Sequence, residues 1–500
     1  VYDAVVVGSG FGGSIAALRL AEAGASVVVL ERGRRYPPES FPRDVQDVGE
    51  LFAPSGLFDV RFFSGLGVVV ANGVGGGSLV YANIHIRPDP VVFTDPRWPA
   101  GTDRAALEPY YDRVASVLSP SPVPPTVALP KRDAFVAAAA RMGRESFDPD
   151  QAVDWDACKL VAECEFGCKH GAKKTIDRTY LARAQALGVS VRERSTASYV
   201  RPDPEGYAVV YRDAGSGEER TVVGRRVVLS AGTLGTNELL LRSRDVVRSL
   251  PLLSARLGHG FSGNGDFLGS VVECDIDLDP AYGPDVTTVM RFFDEAPSFT
   301  MAAPTFNGAV MSVLASLGQP SVGWLRPLAP LLWRTLPAAV PFAFRRGLLS
   351  RPSRLPAPHR GDPRHMTNLF AIGRDNAGGR VSLRRGGRLD VRWRYPEENR
   401  ALVARMEAAM SEVAACYGGH FSPIVTWNLF RKILTVHPLG GCALSHTPAD
   451  GVVSPHGEVH GYPGLFVADG SVVPSSIGFH PVMTISALAE RTAEAAAASL

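Results

Sequence analysis

Residues 3–31 read DAVVVGSGFGGSIAALRLAEAGASVVVLE, and no other stretch restricts the fold as strongly. Val5 to Val7 are consecutive β-branched residues, the pattern of a strand buried on both faces. Gly8, Gly10 and Gly13 follow at G-x-G-x-x-G spacing. Ser14 to Ala23 is a run of small helix formers that stops at Gly24, a residue suited to closing a helix. A second strand, Ser26 to Leu30, ends on Glu31. Each part has a physical task. Gly8 permits a tight turn, Gly10 lets the backbone approach a pyrophosphate, and Gly13 lets the helix lie close on the strand. The helix start offers free N–H groups and a positive dipole end to phosphates. Glu31, 23 residues beyond Gly8, can accept from ribose hydroxyls. Strand, turn, helix, strand and acid in register define a dinucleotide-binding unit.

Three further stretches bear on which dinucleotide. NGVGGGSLVYAN, residues 72–83, is a second glycine-rich loop. VVLSAGTLGTNELLLRS, residues 227–243, is again strand, glycine turn and helix, and GLFVADGSVVPSS, residues 464–476, sets Asp469-Gly470 after a short strand. A site gathered from both chain ends and two internal turns suits a deeply held flavin better than an exchangeable nicotinamide.

A chain of 500 residues exceeds one simple core, so two or more domains, or one with large insertions, are expected. The net charge of +2 and the lack of a basic stripe interleaved with aromatics exclude a nucleic-acid partner. Six unevenly spaced cysteines make no disulfide framework. Cys158, Cys164 and Cys168 cluster as C-x5-C-x3-C, without the C-x-x-C knuckle or a fourth ligand of a metal site; a small loop with buried thiols is the better reading, and no metal is expected. No uninterrupted apolar run of about 18 residues is available to span a membrane. The opening VYDAVVVGSG lacks the charged start of a signal peptide. A cytoplasmic or peripheral-membrane location is expected, with secretion left open by a leader removed ahead of residue 1.

The chain resembles the glucose–methanol–choline (GMC) oxidoreductases, and within them the FAD-dependent cholesterol oxidase-like branch that holds its cofactor without a covalent bond. VVVGSGFGGS with VVLERG, VGGGSLVYAN, GAKKTIDRTYLARA, VLSAGTLGTNELLLRSRD, GHGFSGNGD, HPLGGC and ADGSVVPSSIGFHPVMTISALAER carry the resemblance from residue 5 to residue 491. It implies an α/β fold: a Rossmann-like FAD-binding domain of the GMC and p-hydroxybenzoate hydroxylase type, with an α+β substrate domain built on a largely antiparallel sheet. It further implies that Gly8, Gly10 and Gly13, with Phe11, meet the pyrophosphate side of FAD and Glu31 the adenosine ribose. Gly76, Gly77, Tyr81 and Asn83 would line the flavin ring and phosphates, and Ala231 and Gly232 the adenine side. Asp469 and Gly470 would contact the ribityl chain, and the backbone of Pro481 and Val482 the pyrimidine end.

Two departures from the branch bear on substrate. Its last motif usually has Asn before the proline, where this chain has His480. Its active-site glutamate, shortly before the strand that here reads TNLFAIG, has no counterpart: GDPRHM, residues 361–366, offers only Asp362 and His365. The FAD-binding domain is expected from residues 1–95, 171–265 and 436–500, and the substrate domain from 96–170 and 266–435. Glycine turns at Gly378-Gly379 and Gly386-Gly387 punctuate strand-like runs in residues 370–395. Residues 324–356 are apolar and basic, contain no acid and are interrupted by prolines. They read either as a lid or membrane-surface patch admitting a water-insoluble substrate, or as a buried helical hairpin.

His437 in HPLGGCAL and His480 in SSIGFHPVMT each precede a proline, and Cys442 lies five residues beyond His437. A metal pair lacks further ligands at sensible spacing, and a Cys442 nucleophile lacks an oxyanion hole. A catalytic pair over a flavin fits better than these or than two structural histidines. One neutral imidazole takes the hydroxyl proton, a second polar group orients the hydroxyl, and hydride passes to flavin N5. By resemblance His437 is the base and His480 its partner. The expected function is oxidation of a bulky apolar alcohol, most of all a sterol or steroid 3-hydroxyl, within steroid and lipid metabolism, with oxygen or another electron acceptor. A non-redox lyase or a non-sterol alcohol dehydrogenase on the same scaffold is the alternative.

Overall fold

The computed structural model describes residues 1–42, 51, 56–306, 327–336 and 363–500. The valine runs become the centre of a seven-stranded sheet because neither of their faces can meet water. Tyr2–Val7 pairs in parallel with Val27–Leu30 on one side and Glu219–Leu229 on the other. Ser190–Arg192 extends one edge, and Leu465–Val467 lies along the end of Glu219–Leu229, both in parallel. Gly206–Asp213 and Ser195–Asp203 continue the sheet antiparallel from the other half of Glu219–Leu229. The register pairs Val7 with Leu30 and Leu229, and Leu229 with Val467. Four parallel strands therefore end level, and their carboxyl ends form the edge where sheets of this kind bind ligands.

The helix Phe11–Glu22 starts three residues before the expected Ser14, because Gly12 and Gly13 already join it. It ends as expected at Gly24, whose φ of +86° turns the chain so that the Ala25 N–H reaches the Leu20 carbonyl at 3.0 Å. It packs on the C-terminal helix Val482–Ala498, and the Arg19 guanidinium donates to both carboxylate oxygens of the buried Glu490 at 2.7 and 2.8 Å. The helix Arg104–Leu118, in a segment assigned from sequence to the substrate domain, packs against Val482–Ala498.

A second sheet of six strands is antiparallel throughout, in the order His420–Pro423, Phe267–Val272, Thr367–Gly373, Phe299–Ala302, Val289–Phe292, Ser146–Phe147. The helix Arg400–Cys416 covers one face, where Leu402 fills the space left by Gly373. The other face carries Phe370 and Thr300; the Thr300 hydroxyl donates to the Gly478 carbonyl at 2.8 Å, joining this sheet to the chain's last motif. Gly379–Leu383 and Leu389–Arg392 form a hairpin turned at Gly386 and Gly387, both at positive φ, as the sequence suggests. Gly378-Gly379 is not the turn expected there. Gly379 already belongs to the strand, where a side chain would meet the Phe261 carbonyl.

Of the insertion 324–356, residues 327–336 are described, and 329–336 are helical. Trp333 is buried between Phe62 and Phe430, with ring centres at 5.3 and 5.1 Å, and its indole N–H donates to the Phe63 carbonyl at 2.8 Å. Leu328 and Leu331 are 51% and 63% exposed. Among the described residues no helix is long and apolar enough to cross a membrane.

Candidate active site

The short strand Leu434–Thr435 pairs in parallel with Gly67–Ala71, and Leu439 exchanges two backbone hydrogen bonds with Ser262, both 2.9 Å. This lays residues 435–439 beside the turn of residues 262–266. Asp266, fully buried, is the hub of that contact. Its Oδ1 lies 2.8 Å from His437 Nδ1. Its Oδ2 accepts from the Thr435 hydroxyl at 2.9 Å and from the N–H groups of Val436 and His437 at 2.8 and 3.2 Å. An ionised carboxylate can only accept, so the ring proton of neutral His437 sits on Nδ1 and Nε2 carries the free lone pair. Phe370 from the antiparallel sheet lies at 5.6 Å between ring centres, tilted 31° to the His437 imidazole.

His480 stands 5.6 Å from His437, ring to ring, at 80°. Asn264 holds its loop: Oδ1 accepts from the Ile477 and Gly478 N–H groups at 2.9 and 3.1 Å, and Nδ2 donates to the Phe479 carbonyl at 2.8 Å. Asp375 secures the turn from behind, accepting from the Ser262 hydroxyl at 2.7 Å and the Gly263 and Gly265 N–H groups at 3.1 and 2.9 Å. His480 is buried and its Nδ1 has no partner within the described chain. Burial, and then the neighbouring His437, push its pKa down to about 3, so it stays neutral at ordinary pH. One turn thus positions both imidazoles, through Asn264 and Asp266. Sequence reasoning assigned neither residue a role; the polar, glycine-flanked SGNGD of residues 262–266 was the only signal.

The residues read as cofactor ligands converge along the carboxyl edge of the parallel sheet. Gly10 caps the helix Phe11–Glu22, and a Cβ on Gly76 would lie 2.7 Å from the Gly10 Cα, so the two glycine loops touch. Phe11 meets Tyr81 edge to face at 5.4 Å. Glu31 accepts from the Ser9 N–H and hydroxyl at 3.0 and 2.7 Å and from the Gly33 N–H at 2.8 Å, which leaves about one acceptor position for a ribose hydroxyl. Ala231 and Gly232 are exposed at the start of the helix Gly232–Leu241. Asp469 accepts from the Thr236 hydroxyl at 2.5 Å and from the Ser471 N–H and hydroxyl at 2.9 and 2.6 Å, and burial raises its pKa. Gly470 opens the following turn, Gly470–Val472. Pro481 caps the helix Val482–Ala498, so that helix's positive end follows directly on His480. Among the described residues nothing lies within 4 Å of where a Cβ on Gly77 would stand.

FAD fits this edge. Asn83 is fully buried, and among the described residues neither its side-chain oxygen nor its nitrogen has a partner, nor has His480 Nδ1; these are groups that a buried polar ring would satisfy. The Gly10–Gly76 contact leaves backbone rather than side chain at the phosphate turn. Cys442 is fully buried, its Sγ 3.8 Å from Asn237 Oδ1, and burial drives its thiol far above the ordinary range, which removes the nucleophile reading. Among the described residues no three His, Cys, Asp or Glu side chains gather as a metal site. Asp362 lies outside the described residues. His365 hydrogen-bonds through Nδ1 to the Cys274 carbonyl at 2.8 Å. It ends the short turn Pro363–His365, ahead of the strand Thr367–Gly373 that carries Phe370.

A dinucleotide edge closed by an antiparallel sheet, with two imidazoles between them, defines an FAD-dependent oxidoreductase acting on alcohols. Family models described as GMC oxidoreductase match residues 2–245 and 376–489. A cholesterol oxidase from Acinetobacter baumannii is 29% identical over 98% of this chain and 93% of its own. A cholesterol oxidase from Mycobacterium tuberculosis is 30% identical over 98% and 90%. A long-chain-alcohol oxidase from Arabidopsis thaliana is 26% identical over 97% of this chain and 66% of its own. Among solved structures, the pyridoxine 4-oxidase of Mesorbium loti superposes with a TM-score of 0.69 over 99% of this chain and 98% of that one, at 16% identity. The chain belongs to the GMC oxidoreductase family.

Proposed function

We propose that the protein oxidises the hydroxyl of a bulky apolar alcohol, a sterol or steroid 3-hydroxyl first among them, with His437 as base and His480 as its partner. The observation that carries the reading is the Asp266–His437 contact at 2.8 Å with His480 one ring away. Bound FAD supplies the acceptor for the hydride leaving the carbinol carbon. His437 Nε2 takes the hydroxyl proton, and the Asp266 carboxylate stabilises the imidazolium that results. His480, neutral because it is buried, orients the hydroxyl without competing for the proton. Phe370 gives the site an apolar wall beside His437. The relatives named cholesterol oxidase support the sterol; the relative named long-chain-alcohol oxidase supports a linear alcohol as the second reading.

The resemblance to the branch that binds its cofactor without a covalent bond supports the same hold here, and denaturing the holoprotein should release the flavin into the supernatant. The exposed Leu328 and Leu331 beside the anchored Trp333 support the described part of the insertion, residues 327–336, as bordering the entry for an apolar substrate at a membrane surface. The test is a panel of sterols, linear alcohols and short alcohols, scored anaerobically by bleaching of the flavin and repeated with oxygen or an artificial acceptor. Bleaching by Δ5-sterols at low concentration is expected. His437→Ala should slow it by about 10²–10⁴-fold with flavin retained, and His480→Asn should be milder than His480→Ala. A wild-type rate in His437→Ala returns both histidines to a structural role.

A further inference from the structure

Lys173 belongs to GAKKTIDRTYLARA, a motif to which the histidine–flavin chemistry gives no task. It is 2% exposed. Its Nζ donates to the carbonyls of Leu79 at 3.1 Å, Tyr81 at 2.6 Å and Cys164 at 2.7 Å. It also lies 4.7 Å from the centre of the Tyr81 ring. An ammonium has three N–H donors and no acceptor, so three carbonyls use its whole capacity. Two of them belong to the glycine loop of residues 72–83, one closing the turn Gly76–Leu79 and one on the residue that packs on Phe11. The third opens the turn Cys164–Phe166 in the cysteine-bearing segment. Burial lowers the Lys173 pKa to about 8 against the opposing pull of Cys164, Asp285, Cys168 and Glu165, so its charge is kept at an energetic cost. Packing alone would be met by an apolar side chain.

We propose that Lys173 is a positioning residue of the cofactor site, whose ammonium clamps residues 79–81 to the Cys164 turn and so fixes the loop that receives FAD. The cysteine-bearing segment then serves the site through a backbone carbonyl. This rests on the reading that residues 72–83 face the flavin, and the test separates the two.

Lys173→Met keeps the length and removes every donor. Deflavinated protein should bind FAD about 10²-fold more weakly, since buried carbonyls lose their partner. Amide hydrogen exchange across residues 76–83 should quicken while the far-ultraviolet circular dichroism stays that of the wild type. Lys173→Gln, with two N–H donors, should fall between, and it carries the test if the methionine variant does not fold. Ethylammonium should restore FAD binding to Lys173→Ala, and tetramethylammonium, which has no N–H, should not. Wild-type affinity or wild-type exchange in Lys173→Met overturns the clamp, as does equal rescue by both cations. A wild-type chain that binds no FAD fails the flavin reading alone, because exchange across residues 76–83 still decides the clamp.

Discussion

Asp266 stands 171 positions before His437 in the chain and 2.8 Å from its Nδ1 in space. Replacing it by asparagine keeps the shape but turns an NH₂ toward donors that now meet an oxygen: the Val436 and His437 N–H groups on one side, or His437 Nδ1–H on the other. Asp266→Asn should therefore slow anaerobic flavin reduction by about 10²-fold or more with FAD still bound; stopped-flow reduction at wild-type speed would separate this aspartate from the chemistry. The histidines themselves were legible because each stands in a distinctive motif. The aspartate was not, because no local pattern pairs a turn residue with a ring so far along the chain. His480 and His85, both lowered to about 3 by burial, make a second prediction. Their folded pKa lies below the ordinary 6.5, so the unfolded chain binds more protons beneath that pH. The stability they support is present above about 6.5 and drains as pH falls toward 3. Each contributes up to about 1.4 kcal/mol per pH unit in that window. Urea denaturation between pH 6.5 and 5 should show this slope, and His85→Gln should reduce it.

At the scale of elements, valine runs and glycine turns made the parallel sheet readable, since strands buried on both faces and phosphate loops have distinctive compositions. The antiparallel sheet was legible as a class, but its strand order depends on pairing between distant segments, such as Phe267–Val272 with Thr367–Gly373. That pairing bears on the fate of the ketone once oxidation is complete. The strand presents Phe370 to His437, while His365 is engaged with Cys274 at the far end of the sheet. The sole carboxylate hydrogen-bonded to the histidine pair among the described residues, that of Asp266, is fully buried and committed to His437 and its neighbours. A Δ5-sterol should accordingly yield the unconjugated ketone, seen as product without the enone's ultraviolet band; prompt growth of that band would reveal a proton-transferring group elsewhere. The insertion supplies another prediction. Trp333 ties its described part to Phe62, Phe63 and Phe430. Trp333→Ala should raise KM for bulky apolar alcohols several-fold more than for short ones, whereas equal changes would favour a purely structural anchor.

Across the whole molecule, the cofactor edge exists because the two ends of the chain are packed against each other. The helix Phe11–Glu22 lies on Val482–Ala498, Arg19 pairs with Glu490, and Tyr180 donates to the same carboxylate at 2.7 Å. The first glycine motif sits in that junction, and its members do different work. A Cβ on Gly12 would fall 1.5 Å from the Ala468 carbonyl oxygen, and one on Gly13 1.9 Å from that of Gly8. Both obstacles are backbone and cannot swing aside, so Gly12→Ala and Gly13→Ala must push strands or helix apart, at a cost above the usual 1–3 kcal/mol of overpacking. Gly10 differs: it has a negative φ of −69°, and among the described residues its added Cβ meets nothing closer than Gly76 Cα at 3.8 Å, an ordinary contact. The described residues give no reason for glycine there; an approaching pyrophosphate does. Gly10→Ala should thus leave the Tm of the deflavinated protein within a degree or two of wild type yet weaken FAD binding by at least about tenfold, a loss of about 1.4 kcal/mol. Gly12→Ala should lower the Tm of the same apoprotein sharply. Thermal unfolding and FAD titration of the two variants side by side read both effects. Wild-type FAD affinity in Gly10→Ala would mean that the pyrophosphate does not approach this turn, and the cofactor edge would have to be sought elsewhere on the sheet.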